Sequence, residues 1–218
     1  MPALTRKASM RISIRLGLTA LMAAMLLASA LSTASARNLE ITSATNFRVT
    51  WSRLELAGSF VNIRCQVTME GSFHSRTIPK VQGLLIGSLT RITFKEESCS
   101  GGTAHSVRQP PWHFTYEGFT GRLPNIETVR FLFSRFLFAL IAFGVTCTYG
   151  SSTDNLTFSA GLNAAGEVTN LVPLRERSIY NLLEGGGLCP PNGTLVGSAT
   201  DGISTTLNST TRIRVRLI

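Results

Sequence analysis

From Val61 to Glu70 the chain alternates without a break, with Val61, Ile63, Cys65, Val67 and Met69 on one side and Asn62, Arg64, Gln66, Thr68 and Glu70 on the other. A period of two belongs to a β-strand, whose successive side chains leave opposite faces, so this segment reads as a strand with one buried and one wet face. Cys65 then points into the core. The same alternation runs through Phe47, Val49 and Trp51, through Trp112, Phe114 and Tyr116 against His113, Thr115 and Glu117, and through Ile213, Val215 and Leu217 against Arg212, Arg214 and Arg216. Turn-forming residues separate the runs: Gly71-Ser72, Ser100-Gly101-Gly102, Gly118 to Gly121, Gly150-Ser151-Ser152, Gly185-Gly186-Gly187 and Pro190-Pro191-Asn192-Gly193. Many short amphipathic segments broken by such turns predict an all-β, single-domain antiparallel β-sandwich or small β-barrel.

Two stretches fit more than one reading. Between Val129 and Tyr149 apolar residues are almost continuous, interrupted by Arg130, Ser134 and Arg135. That run suits two successive strands, the second covered on both faces, or a buried helix; its phenylalanines and the Val145-Thr146-Cys147 ending favour strand. Its uninterrupted part, Phe136 to Cys147, is about a dozen residues, short of the ~20 that a membrane-spanning helix needs. The segment Arg175 to Glu184, ended by three glycines, reads as a short helix, although Ile179-Tyr180 suits a strand equally well.

Residues 1–36 read as a secretory signal. Arg6, Lys7, Arg11 and Arg15 form a basic start, Leu16 to Leu31 an apolar run, and Ala34-Ser35-Ala36 a small-x-small cleavage site. The apolar run is too short to span a bilayer comfortably and lacks a basic stop-transfer flank, so cleavage with no remaining transmembrane anchor is expected. Cleavage leaves 218 − 36 = 182 residues, numbered 37–218, which is enough for one domain with a real core. The leader holds four of the 21 basic residues and none of the 12 acidic ones, so the exported part carries 17 − 12 = +5. That charge is an ordinary solubility margin and gives no reason to expect a nucleic-acid partner.

All four cysteines, Cys65, Cys99, Cys147 and Cys189, lie in the exported part, where an even count implies two disulfides. Of the three possible pairings, Cys65 with Cys99 and Cys147 with Cys189 lets each half of the chain close its own loop. The halves also share a plan: a cysteine-bearing strand near a glycine turn, a hairpin, then a glycine-flanked second cysteine. The chain-entropy account gives ~4 kcal/mol for each loop. No metal and no cofactor are expected, since no C-x-x-C occurs and His74, His105 and His113 do not sit at ligand spacing.

Catalytic motifs are equally scarce. No G-x-S-x-G elbow, His-Glu-x-x-His, P-loop or dinucleotide fingerprint is present, and no catalytic residue is assigned. His113 is the best placed of the histidines, but Glu117, four residues on, lies ~13 Å away along a strand, and this face is expected to meet solvent. Arg212, Arg214 and Arg216 form a basic stripe that suits the guarding of an edge strand. Asn155-Leu156-Thr157, Asn192-Gly193-Thr194 and Asn208-Ser209-Thr210 match the glycosylation pattern and are read as turn and strand residues.

Taken together, the leader, the strand Phe60-Val61-Asn62-Ile63-Arg64-Cys65, the segment Cys99-Ser100-Gly101-Gly102-Thr103, and Pro111-Trp112-His113-Phe114-Thr115-Tyr116 are distinctive. So are the following Phe119-Thr120-Gly121-Arg122-Leu123-Pro124-Asn125-Ile126 and the later Leu188-Cys189-Pro190. As a set these resemble a group of uncharacterised secreted proteins of soil actinobacteria. The resemblance implies an exported, two-disulfide, β-rich protein and implies no mechanism. The expected function is a non-catalytic extracellular or cell-envelope structural or binding module whose partner is an envelope polymer or an apolar small molecule. The alternatives are a carrier of a small hydrophobic ligand in a β-barrel and a secreted hydrolase with scattered carboxylates. An accessible apolar cavity favours the carrier, two convergent carboxylates in a cleft favour the hydrolase, and a solid core with neither favours the module.

Overall fold

Strands form wherever the alternation runs unbroken, and they pair antiparallel throughout. The computed structural model describes residues 38–59, 61–107, 111–150, 156–200, 202–205 and 210–218. The leader, Arg37, Phe60, Ser151-Ser152, Asn155 and Asn208-Ser209 lie outside the described residues. In chain order the strands are β1 (Asn38–Ile41), β2 (Asn46–Gly58), β3 (Asn62–Phe73), β4 (Thr77–Pro79), β5 (Leu85–Ser100) and β6 (Thr103–Ser106). Then come β7 (Trp112–Arg122), β8 (Asn125–Ser134), β9 (Leu137–Ala142), β10 (Val145–Gly150), β11 (Leu156–Leu162) and β12 (Val168–Pro173). A single 3-10 turn, Arg175–Arg177, precedes β13 (Ile179–Glu184), β14 (Asn192–Val196), β15 (Gly202–Ser204) and β16 (Val215–Leu217). The described residues contain no α-helix.

The main sheet runs β12-β11-β8-β7-β5-β3-β2-β14-β13-β10-β9-β6, with β15 also paired to β2, and a small sheet runs β16-β1-β4. The main sheet curls into a half-barrel. Its β12 edge returns towards the middle of the sheet, where the Leu171 N–H donates to the Ala199 oxygen at 3.0 Å and the Ala199 N–H donates back at 3.1 Å. The buried indole N–H of Trp51 donates to the Leu171 oxygen at 3.1 Å and fixes the same closure.

The expected alternation is present in β3, where Ile63, Cys65, Val67 and Met69 are buried, and in β7, where Trp112, Phe114 and Tyr116 are buried. In β2 the phase changes: a register shift between Trp51 and Leu54 puts two exposed residues together, after which Leu54 and Leu56 point inward. The run Val129–Tyr149 forms the end of β8 and all of β9 and β10, three strands rather than two strands or a helix. Its two turns have weak signatures. Arg135 takes a positive φ of 63° after β8, and Phe143 and Gly144, at 52° and 75°, form a two-residue hairpin loop. Positive φ at both positions matches such a loop to the right-handed twist of its strands. The helix read at Arg175–Glu184 is a 3-10 turn followed by strand β13, which β10 and β14 pair on either side.

Two of the glycine signals are not turns. Gly71-Ser72 lies within β3, and Gly118 to Gly121 within β7. A Cβ on Gly71 would stand 2.5 Å from the Ser88 oxygen and 2.7 Å from the Phe47 ring, so glycine here permits close packing of neighbouring strands and rings.

The core is one continuous apolar cluster. At its β7–β8 end, Phe114 meets Phe47, Phe73 and Phe133 at centroid separations of 5.6, 5.3 and 5.3 Å, and Phe133 meets Phe158 at 4.9 Å. These rings leave a residual space of only about 40 Å³, which Ile213 and Val215 help to seal. Both disulfides form as the spacing predicts, Cys65–Cys99 between adjacent strands β3 and β5, and Cys147–Cys189 between β10 and the loop after β13.

Candidate functional site

A second apolar space opens at the β9–β10 end of the sheet. The period of two brings Val145, Cys147 and Tyr149 of β10 to one face; Leu140 and Ala142 of β9 lie beside them, and Tyr180 comes from β13. Gly58 and Val61, at the link between β2 and β3, and Gly187, Leu188 and Pro190, from the loop after β13, complete a cavity of about 370 Å³. Among the described residues the lining carries no charged side chain. Pockets of roughly 300–1,000 Å³ with predominantly apolar walls are the kind that enclose small organic ligands.

The two tyrosines hold this cavity open. Their rings stand nearly perpendicular at 5.0 Å, and both rest against Phe138. The Tyr149 hydroxyl donates to the Pro190 oxygen at 3.1 Å, and the Tyr180 hydroxyl to the Ala57 oxygen at 3.3 Å. Burial raises the pKa of both phenols, and for Tyr180 the nearby Tyr149 adds to the shift. Both are therefore neutral donors, each engaged with the backbone. Cys147 forms part of the wall, and its bridge to Cys189 anchors the loop that carries Leu188. Phe143 and Leu188 stand at the mouth, 91% and 74% exposed, the two most exposed large apolar residues among those described.

The face that carries His113 differs from the expectation of a solvated surface. A register shift after Tyr116 makes Glu117 and Gly118 a bulge opposite Arg130, a feature that re-aims side chains. The Glu117 side chain is only 5% exposed and is ion-paired with Arg177. Arg177 is brought there by the 3-10 turn, where its N–H donates to the Leu174 oxygen at 2.8 Å, while the Leu174 N–H and the Ser178 hydroxyl both donate to the Thr157 oxygen. His113 Nδ1, Thr115 Oγ1, Glu117 Oε2 and Arg130 Nε are buried without a hydrogen-bond partner among the described residues. Among the described residues His113 and Glu117 do not bond to each other, and Glu117 is paired with Arg177 and not with a second carboxylate.

Nor is the arginine stripe a free basic patch. Arg214 grips Glu167 through Nε and Nη2 at 3.0 and 2.6 Å, and Arg216 Nε holds Glu40 at 2.6 Å. Both pairs tie the chain around β16 to neighbouring segments, and β16 is an edge of the small sheet. Among the described residues no group of three or more His, Cys, Asp or Glu is placed to hold a metal ion, and no helix is long and apolar enough to cross a membrane.

Of the four cysteines that the sequence singles out, Cys147 lines the pocket, Cys189 is bonded to it, and Cys65 and Cys99 lie elsewhere. Of the lips of the mouth, Leu188 is marked in the sequence only as part of Leu188-Cys189-Pro190, and Phe143 only as an apolar residue set beside Gly144. No protein family, curated protein or solved structure matches this chain, so its functional reading rests on the pocket's own residues.

Proposed function

We propose that this chain is an exported, non-catalytic binding protein that carries a small hydrophobic molecule in the β9–β10 pocket. The single observation behind this reading is the contrast between a filled aromatic core and an uncharged cavity of about 370 Å³ whose mouth is flanked by exposed Phe143 and Leu188. Export is supported by the leader at residues 1–36 and agrees with two disulfides, which persist in an extracellular or otherwise oxidising compartment. The resemblance to secreted proteins of soil actinobacteria points to the same compartment.

Intact mass spectrometry of the secreted protein tests this directly. The expected result is a mature start at Arg37, a four-proton loss for two disulfides, and a small adduct present under native but not denaturing conditions. Secreted protein that carries no adduct and binds no neutral fluorescent probe such as N-phenyl-1-naphthylamine overturns the carrier reading. An uncleaved leader overturns export.

A further inference from the structure

Small-molecule sites ordinarily keep a few free polar groups that orient the ligand, and among the described residues this pocket has no such side chain. The hydroxyls among its described residues, on Tyr149 and Tyr180, already donate to Pro190 and Ala57. The sulfur of Cys147, on the pocket wall, is spent in the bridge to Cys189. A carboxylate or ammonium group placed inside would lose its hydration with nothing to replace it, a penalty that rises steeply from neutral polar groups to ions. A hydrocarbon surface meets no such penalty and gains from leaving water.

The mouth has two unlike sides. On one, Phe143 sits at a hairpin tip with φ at 52°; a bulky residue in the left-handed region is strained, and this one also faces water. On the other, the loop between β13 and β14 leaves Gly186 and Gly187 in open space, with no atom beyond the adjoining residues within 4 Å of where a side chain would begin. Leu188 follows them, and Cys189 then fastens the loop to Cys147, with its N–H donating to the Gly186 oxygen at 2.9 Å. This side is therefore pliant at its glycines and pinned just beyond its leucine.

We propose that the pocket takes a small neutral hydrocarbon, of terpene or alkylbenzene size, that buries no hydrogen-bonding group, and that Phe143 and Leu188 are the lips that close over it. The Cys147–Cys189 bridge sets the position of the Leu188 lip. The proposal rests on the carrier reading above and adds the ligand class and the closing residues to it.

Displacement of N-phenyl-1-naphthylamine from the disulfide-intact protein, by p-cymene and by 4-isopropylbenzoate of the same carbon skeleton, is the test. The neutral compound is expected to displace the probe at concentrations at least ~10-fold lower than the anion. Leu188→Ser and Phe143→Ser are expected to speed probe dissociation several-fold, and Val81→Ser, at an exposed apolar site away from the pocket, to leave it unchanged. Cys147→Ala/Cys189→Ala should lose affinity while Cys65→Ala/Cys99→Ala keeps it. The lip variants change exposed residues, so their outcome stands even if a disulfide variant fails to fold. No binding of either probe or p-cymene overturns the pocket itself. Equal displacement by the carboxylate overturns the ligand class alone, and lip variants that behave like Val81→Ser overturn the closing role alone.

Discussion

The two apolar spaces of this sheet, about 40 Å³ at the β7–β8 end and about 370 Å³ at the β9–β10 end, are bounded by aromatic side chains in both cases, yet only one is filled. The difference lies in what each ring is attached to. The phenylalanines around Phe114 carry no polar atom and settle into mutual edge-to-face contact, as close packing favours. Tyr149 and Tyr180 are pinned at their hydroxyls to backbone carbonyls, so their rings are not free to swing into the gap. Gly58 and Gly187 supply no side chain to fill it, and a disulfide stiffens one wall. A hollow survives in an apolar interior where the surrounding groups are tethered elsewhere.

The comparison breaks most visibly if the filled region is emptied. Phe114→Ala is expected to lower stability by ~3–5 kcal/mol, because the rings of Phe47, Phe73, Phe131 and Phe133 all lose a partner, while binding of a neutral probe at the far end survives; urea unfolding and probe titration on one sample read both. Next in size is Cys65→Ala, expected to cost ~4 kcal/mol for a loop with sequence separation 34. Cys99 should then titrate as a thiol in the denatured variant, and an unreactive Cys99 would exclude the bridge.

A matched pair of enlargements sharpens the contrast. Ala160→Leu, in the filled region, should destabilise by ~1–3 kcal/mol through overpacking. Ala142→Leu, on the pocket wall, should leave the unfolding midpoint nearly unchanged and weaken probe binding. Equal destabilisation of the two would mean that the hollow is not available space. The smallest effect concerns neither cavity. Hydrogen bonds from Arg214 and Asn163 hold the Glu167 carboxyl below its ordinary pKa of 4.5. A depressed folded-state pKa adds stability that is fully present above that ordinary value and is lost as pH falls through the lowered one. Unfolding midpoints of the native chain and Glu167→Gln should therefore differ slightly at about pH 6 and converge at about pH 3; a gap that widens on acidification contradicts the pair.

Strand character and disulfide pairing were legible in the residues because period two and loop closure are local rules. Ile63, Cys65, Val67 and Met69 announce their face directly. Features made by exceptions to those rules were not legible. The turns place Arg135 and Phe143, residue types that ordinarily avoid a positive φ, in the left-handed region, so three strands read as two. Gly71 and Gly118 looked like turns because glycine marks both chain reversal and close approach. The burial of Glu117 depends on a one-residue bulge and on Arg177, which lies 60 positions further along, and no short window of sequence contains both. The pocket is invisible for the same reason, since its wall is assembled from segments near residues 60, 140, 180 and 190.

The order of strands in the main sheet also governs when the protein can acquire its shape. β2, near the start of the described chain, takes one neighbour from β3 and its other neighbours from β14 and β15, while β1 is flanked by β16. Pairings this distant in sequence form slowly. Central strands therefore wait with open backbone edges until residues up to Leu217 are available. During that interval β2 is a template for unwanted pairing, so the yield of folded protein should depend on concentration during refolding more sharply than its final stability suggests.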